Sequence, residues 1–286
     1  MNLNPMASAR RCGFTWIELL VVIAVLAISL GLVLPASNKA RIKAQVGQCM
    51  DNKRQLMLAW KLYCDDNSQR VPSAGGRAGD WWPVGPMTWT GNSKTDGANQ
   101  NNWNPEVTVK KSPLWPYCSN NPAIFQCPTD TKYSCTYQGK SYPRVRNVSM
   151  LSWFNGADAL SVSGTPGYVV YGQTTDVLKP GPAMTMVFLD ERVDSINDGE
   201  YSTSMFGWDP YQPASWRILD IPGNRVVDVP GVGRIGFCVV AFADGHAEIH
   251  KWEDAALNIP MGHGPNITAP DSKDAYWLME HSTRKP

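Results

Sequence analysis

Residues 14–34 read FTWIELLVVIAVLAISLGLVL, an apolar run with a single charged residue, Glu18. As a helix rising about 1.5 Å per residue, the run spans roughly 31 Å, which matches the hydrocarbon core of a bilayer. No other stretch of the sequence approaches this length, so we expect one membrane-spanning segment. An ionisable group inside such a run costs about 2.5–3.5 kcal/mol on insertion scales and usually marks function. The sequence therefore singles out Glu18.

A short polar leader, residues 1–13, precedes the apolar run and ends in Arg10, Arg11, Cys12 and Gly13. A secretory signal places its basic residues first, follows them with about 7–15 apolar residues and ends at a small-residue cleavage site. Here the apolar run is longer, and only Ala36 and Ser37 follow it as weak cleavage candidates. The leader is therefore not typical of ordinary secretion.

The junction from Arg10 to Leu19, RRCGFTWIEL, resembles the processing site of type IV prepilins and type II secretion pseudopilins. In that family a basic leader ends in Gly, and Phe, a Glu four residues later and the apolar helix follow. The resemblance implies that prepilin peptidase cuts between Gly13 and Phe14 and methylates the new amine of Phe14. It also implies that Glu18 meets the Phe14 amine of a neighbouring subunit and sets the assembly register, and that Pro35 kinks the helix.

Beyond Pro35 the pattern becomes amphipathic. Apolar positions recur at alternating steps of three and four residues, the stripe of a helix packed on a surface. The stripe consists of Ile42, Val46, Cys49, Lys53, Leu56, Trp60 and Tyr63. Lys53 is its one charged member, and its aliphatic stem can lie along an apolar surface. Asp65, Asp66, Asn67 and the following Pro72 predict the end of the helix near residue 66.

The rest of the chain predicts a loop-rich, partly β head. The 22 Pro and 24 Gly among 286 residues argue against a helical bundle, because both residues break helix interiors. Residues 72–122 are interpreted as ordered loop with short strands. Strands are predicted at 184–189, 216–221, 235–243 and 246–252, the last two joined by Asp244–Gly245, a hairpin signal. Tryptophans at 81, 82, 89, 103 and 115 plug the core or, alternatively, form a glycan-stacking platform.

These pieces predict an α+β protein in which a long N-terminal helix packs on an antiparallel β-sheet head. We expect a leader at residues 1–13, a transmembrane and assembly helix at 14–66 and a globular head at 67–286. The segments FQCPTD, FLDERVDSIND and FADGHAE also resemble those of pilin-like proteins with large heads.

Seven cysteines are present, and removal of the leader with Cys12 leaves six. An even number in an exported head favours disulfides, although six cysteines allow 15 pairings. Cys118, Cys127 and Cys135 lie in the loop-rich part, and we expect at least one bridge to involve one of them.

Acidic side chains between residues 190 and 200 supply oxygen ligands at a density that suits calcium, although the EF-hand spacing is absent. Some pseudopilins bind calcium in a head loop, so the resemblance supports a candidate calcium site at Asp190, Asp194 and Asp198. The alternative is that these are turn residues bonded to their own backbone.

His246, Glu248 and His250 share one face of the last predicted strand and are candidate metal ligands of a membrane-tethered hydrolase. The competing interpretation places Ala247 and Ile249 in the core and leaves the His/Glu face in solvent. Since the sequence lacks a nucleophile elbow, a P-loop and a dinucleotide fingerprint, we expect no enzyme and no other cofactor.

A net charge of +1 excludes nucleic-acid binding through bulk charge. The sequence therefore predicts a structural subunit of a pilus-like or secretion-pseudopilus filament. Its expected partners are copies of itself, other pilin-like subunits, prepilin peptidase and the bacterial inner membrane, from which it moves into a periplasmic or cell-surface filament. The alternative is a single membrane-anchored protein whose head recognises a glycan or another surface.

Overall fold

The computed structural model describes residues 15–75, 81–83, 85–90, 92–129, 133–156, 167–193, 195–220, 222, 225–229, 233–254 and 267–286, with the backbone alone at 29–39, 225–229 and 233–235. The chain divides into two units, residues 1–44 and residues 45–286. Its long helix, α1 (Trp16–Asp66), contributes to both. The predicted helix is thus confirmed, and helical structure continues through position 35.

In the first unit, the described side chains of α1 form an exposed apolar surface. Every described side chain from Trp16 to Ile28 is exposed, including Trp16 at 81%, Ile17 at 74% and Leu20 at 58%. Within the described residues, no helix combines the length and apolar character needed to cross a membrane.

In the second unit, α1 packs through the predicted stripe. Cys49, Lys53, Leu56 and Trp60 are at most 2% exposed. The helix ends at Asp66, where Ser68 and Gln69 adopt positive φ angles of 56° and 65° and the Gln69 amide donates to the Cys64 carbonyl at 2.7 Å. This left-handed turn satisfies a carbonyl of the last helical turn.

Besides α1, the described part of the second unit contains single turns of 3₁₀ helix, ten strands and two short helices: α2 (Ser93–Ala98), β1 (Ser134–Tyr137), β2 (Lys140–Pro143), β3 (Val148–Leu151), β4 (Met186–Asp190), β5 (Glu200–Tyr201), β6 (Arg217–Ile218), β7 (Arg225–Val229), β8 (Gly233–Phe242), β9 (Ala247–Lys251), β10 (Ile267–Thr268) and α3 (Lys273–Glu280). The main sheet has the order β5-β3-β4-β8-β7, and β9 also pairs with β8. β3 and β5 are parallel, whereas the other described pairs are antiparallel. The α+β prediction is confirmed.

The predicted β8–β9 hairpin is present. The Phe242 amide donates to the His246 carbonyl at 3.0 Å, and Gly245 adopts a φ of +101° that side chains with a Cβ rarely tolerate. The strand predicted at 216–221 is shorter, since only Arg217 and Ile218 form β6.

The short strands expected within residues 72–122 are wrong for the described part of that range, which contains α2 and single turns of 3₁₀ helix. Asparagine side chains explain the difference, because they cap such turns. Asn92 accepts from the Lys94 amide at 3.2 Å, and Asn99 accepts from the Asn101 amide at 3.0 Å.

Four of the five tryptophans in this region make core or ring contacts, and two of these, Trp89 and Trp115, are half-buried against the core. Trp82 is fully buried, stacked on Phe125 at 5.3 Å and tilted against Phe188 at 4.8 Å. Trp103 is half-buried and stacks on Tyr142 at 4.2 Å. Both rings therefore serve packing, and the glycan platform gains no support from them.

Candidate functional site

The start of α1 is stabilised by a reciprocal pair of side chains. The Glu18 carboxylate accepts from the Thr15 amide and the Thr15 hydroxyl, both at 2.8 Å, and the Glu18 amide donates to the Thr15 hydroxyl at 3.3 Å. This is a capping box, which satisfies backbone donors that a helix N-terminus leaves open. The helix therefore begins directly after the expected cleavage junction.

Gly13 and Phe14 lie outside the described residues. Cleavage, methylation and the pairing of Glu18 with a neighbouring amine stay predictions. The kink expected at Pro35 also stays a prediction, because α1 is described there only as continuous helix.

The second functional region is the attachment of α1 to the head, which we call the clamp: Gln45, Cys49, Asn52 and Lys53 on the helix with residues 123–128 and Asp190. A disulfide joins Cys49 to Cys127 across 78 positions of sequence. One of the three candidate cysteines is therefore bridged, and its partner lies on the helix.

The other two candidate cysteines, Cys118 and Cys135, are buried thiols, as are Cys64 and Cys238. Burial raises the pKa of Cys64 and of Cys118 to about 12. A thiol is reactive only as thiolate, so these two are inert structural residues.

Hydrogen bonds extend the clamp on both sides of the disulfide. The Asn52 amide donates to the carbonyls of Ala123 at 3.0 Å and of Gln126 at 2.8 Å, and the Gln45 amide donates to the Pro128 carbonyl at 3.4 Å. These contacts hold one face of α1 to the loop before β1.

The third element of the clamp is a buried ion pair. The Lys53 ammonium lies 2.6 Å from the Asp190 carboxylate, and the two side chains are 2% and 0% exposed. Lys53 thus does more than lie along an apolar surface, because its charge is neutralised inside the head. Removal of one partner from such a pair leaves an uncompensated buried charge, which is strongly destabilising.

Two of the three predicted calcium ligands, Asp190 and Asp198, already bond to other groups of the protein. Asp190 pairs with Lys53, and Asp198 accepts from the Glu200 amide at 2.8 Å through its carboxylate and from Arg146 through its carbonyl. Asp194 lies outside the described residues, so calcium binding stays a prediction.

Among the described residues, one group of side chains has metal-ligand spacing: Cys49, Cys127 and Asp190, with ligand atoms within 4.8 Å of one another. Its chemistry does not suit a cation. The two sulfurs are bonded to each other, and Lys53 already neutralises the carboxylate.

The exposure of side chains on the two faces of β9 differs from the expectation. Ile249 is 42% exposed, whereas His250 is largely buried and stacks on Trp277 of α3 at 3.8 Å. Ala247 is buried and Glu248 is exposed as expected, but the placement of Ile249 in the core is wrong, and Trp277 of α3 covers His250 on the other face. His246 bonds to Asp244 at 2.6 Å instead of turning toward a shared metal.

A buried polar cluster beside β3 was missed by sequence reasoning. Arg146 is fully buried and donates to the Val148 carbonyl at 3.1 Å, while the Glu191 carboxylate accepts from the Ser149 hydroxyl at 2.5 Å. Burial, reinforced by the charge of Asp220, raises the pKa of Glu191 well above its usual range. No local pattern distinguishes these residues from exposed loop charges.

Comparison with known families identifies the N-terminus. Residues 8–34 match the family model of the prokaryotic N-terminal methylation motif. The chain thus carries the signal of type IV pilins and pseudopilins, as its resemblance indicated. No curated protein and no solved structure matches the chain.

Proposed function

We propose that the protein is a structural subunit of a type IV pilus-like or type II secretion-pseudopilus filament. The observation that carries the proposal is the methylation motif at 8–34, within which the apolar side chains of helix residues 16–28 are exposed in the single chain. Prepilin peptidase would cut between Gly13 and Phe14 and methylate the Phe14 amine. The subunit would stay anchored in the inner membrane until assembly and would then enter a periplasmic or cell-surface filament with its copies and other pilin-like subunits.

The proposed filament buries the apolar side chains of residues 16–28 against neighbouring helices. Burial of apolar surface stabilises association by about 25 cal/mol per Å². The same burial removes Glu18 from water, where a carboxylate requires a cation. In this proposal the Phe14 amine of the next subunit supplies that cation and fixes the register.

The clamp gives this proposal a second support. A filament subunit must keep its head attached to the helix that its neighbours hold. The disulfide, the Asn52 hydrogen bonds and the Lys53–Asp190 pair link residues 45–53 to the head core. A load on the helix would therefore reach the sheet through side-chain contacts as well as through the backbone.

Replacement of Glu18 by Ala tests the assembly step. The variant should still be cleaved at Gly13, since the cut lies on the polar side of the junction, but filament yield should fall below detection. Yield is measured by shearing and microscopy in cells without wild-type subunit, beside a blot for processed chain. Glu106→Ala, at an exposed head position paired with Lys110, is the matched control and should assemble normally.

Normal filaments from processed Glu18→Ala subunits would contradict the register contact. The single-anchor binding protein would then become the better interpretation of the same N-terminus.

A further inference from the structure

Two exposed cations of α1, Arg41 and Lys43, form what we call the basic group. Together with Lys39 they are the only charged residues of the sequence between Glu18 and Asp51. Among the residues that the structure describes, no carboxylate forms an ion pair with Arg41 or Lys43. The basic group therefore presents its charge to whatever lies beside the helix.

The last turn of α1 carries two exposed carboxylates, Asp65 and Asp66, which we call the acidic group. Asp65 accepts from the side-chain amide of Gln69, and Asp66 accepts from a tyrosine hydroxyl, each at 2.9 Å. Both donors are neutral, and the last turn contains no basic residue. Because the carboxyl end of a helix dipole is negative, two carboxylates there weaken the helix. The acidic group therefore stands where helix stability alone disfavours it.

The other charged side chains of α1 from residue 40 onward are satisfied inside the chain. They are Asp51 and Arg54, which pair with each other at 3.0 Å, Lys53, which pairs with Asp190, and Lys61, which donates to the Asp244 carbonyl. This part of α1 thus has two sets of charges without an opposite charge among the described residues, the basic group and the acidic group.

We propose that the basic group of one subunit contacts the acidic group of a second copy, whose parallel α1 is displaced by about 24 residues. Arg41 lies 24 positions before Asp65. Lys43 lies 23 positions before Asp66. A single displacement, about 36 Å along an α-helix, thus brings two cations level with two carboxylates. The inference rests on the proposed filament and adds a second register contact to that of Glu18.

A copy of the chain meets both groups at once. Anionic lipid headgroups would neutralise the basic group but leave the acidic group unpaired, whereas complementary charges on a second copy satisfy both and fix the register. Because each subunit carries the two groups at different positions along α1, the contact is heterologous and repeats from copy to copy in an open filament. The displacement also brings Leu58, which is 57% exposed, level with residue 34, where the apolar run ends. Apolar surface that is exposed in the single chain is thereby covered.

Charge reversal tests the contact in cells that make no wild-type subunit. Arg41→Glu/Lys43→Glu should lower the yield of sheared filaments per processed chain about five-fold or more, because ion pairs become repulsive contacts. Asp65→Lys/Asp66→Lys should lower it by a similar factor. Its lysines complement the helix dipole, so a weakened helix end would not explain the loss. The combined variant, which exchanges the charges, should recover to within about two-fold of the wild type.

The controls for charge reversal are Glu106→Lys and Lys140→Glu, at exposed head positions outside both groups, and they should assemble normally. Normal yield from either reversal, or a combined variant no better than the single reversals, would overturn the proposal. Loss of yield in the basic reversal alone would assign Arg41 and Lys43 to another anionic partner, such as a lipid surface.

Cross-linking in purified filaments tests the displacement itself. Ala44→Cys/Ser68→Cys places two thiols at exposed positions 24 residues apart, whereas the bridged and buried cysteines of the described head stay unreactive. A short bismaleimide should join these subunits into a ladder on a denaturing gel. The control Ala44→Cys/Gln55→Cys, whose exposed positions are 11 residues apart, should give monomer.

Intact filaments without a ladder from Ala44→Cys/Ser68→Cys, or with an equal ladder from the control, would overturn the displacement and leave the proposed filament standing. Absence of filaments from the wild-type chain would contradict the proposed function itself, and this contact with it.

Discussion

Two charged residues interrupt the apolar pattern of α1, and each has a defined partner. Glu18 closes the capping box with Thr15, and Lys53 pairs with Asp190 inside the head. Both side chains therefore combine a local structural role with the larger role proposed for their part of the helix, assembly for Glu18 and attachment for Lys53.

Replacement of Lys53 by Met should destabilise the head by about 3–5 kcal/mol, because it leaves the Asp190 carboxylate buried without its cation. Urea unfolding of the full-length chain measures the change. The double variant Lys53→Met/Asp190→Leu should recover most of the loss. Arg54→Met breaks only the exposed pair with Asp51 and should cost less than about 1 kcal/mol. An equal loss of unfolding free energy in Lys53→Met and Arg54→Met would contradict the stabilising role of the buried Lys53–Asp190 pair.

Sequence reasoning identified Lys53 as the odd member of its stripe but not its partner. Asp190 lies 137 positions away in the chain, and no local pattern joins the two. Glu18 was identifiable because the signal around it is local, and its cap partner Thr15 belongs to the same motif.

At the level of the elements, two contacts link parts of the head that are distant in sequence: the clamp joins α1 to the head, and the β9–α3 contact joins a strand to a helix. α1 and the β8–β9 hairpin were predictable, because a helical stripe and an Asp-Gly turn are local signals. The two-residue strand β5 and its parallel pairing with β3 carry no such signal. The cover that α3 provides over β9 also depends on tertiary contact, which explains the wrong placement of Ile249.

Removal of the Cys49–Cys127 bridge by Cys49→Ser should lower the melting temperature. A closed loop of this length is worth about 4 kcal/mol in the chain-entropy picture, or roughly 8–16 °C for a head of this size. Reductant should lower the melting temperature of the wild type and leave that of Cys49→Ser unchanged. Cys118→Ala, which removes a free thiol, should keep the response to reductant. A wild type indifferent to reductant would show that the bridge does not form.

Acidification should weaken the β9–α3 contact through His250. Burial, helped by the charge of His281 and opposed by Glu253, lowers the pKa of His250 to about 4. The unfolded chain takes up this proton first, near pH 6.5, so stability falls as the pH drops from about 6.5 towards 4. Burial also lowers the pKa of His281.

The measurement is the melting temperature at pH 7 and at pH 4.5. His250→Phe keeps a ring on Trp277, beside Asp274, and should show a smaller fall than the wild type. His246→Phe changes an exposed histidine and is the control. Its fall in melting temperature should be closer to that of the wild type than the fall of His250→Phe is. Identical falls in all three proteins would mean that His250 does not contribute.

At the level of the whole molecule, the two units carry different features. The motif at residues 8–34 indicates the class of protein, whereas the head from residue 45 onward lies outside that motif. The helix residues 45–66 belong with the head, so the attachment of α1 is built into the head core.

We propose above all that this chain is a prepilin-like subunit matured at the Gly13–Phe14 junction. Its most direct test is mass spectrometry of the N-terminus of the protein isolated from its native host. We expect a chain that begins at Phe14 and carries one methyl group on its amine, and we expect Gly13→Leu to leave the precursor uncut. A mature chain that begins near Ser37, or one that retains Met1, would contradict the account.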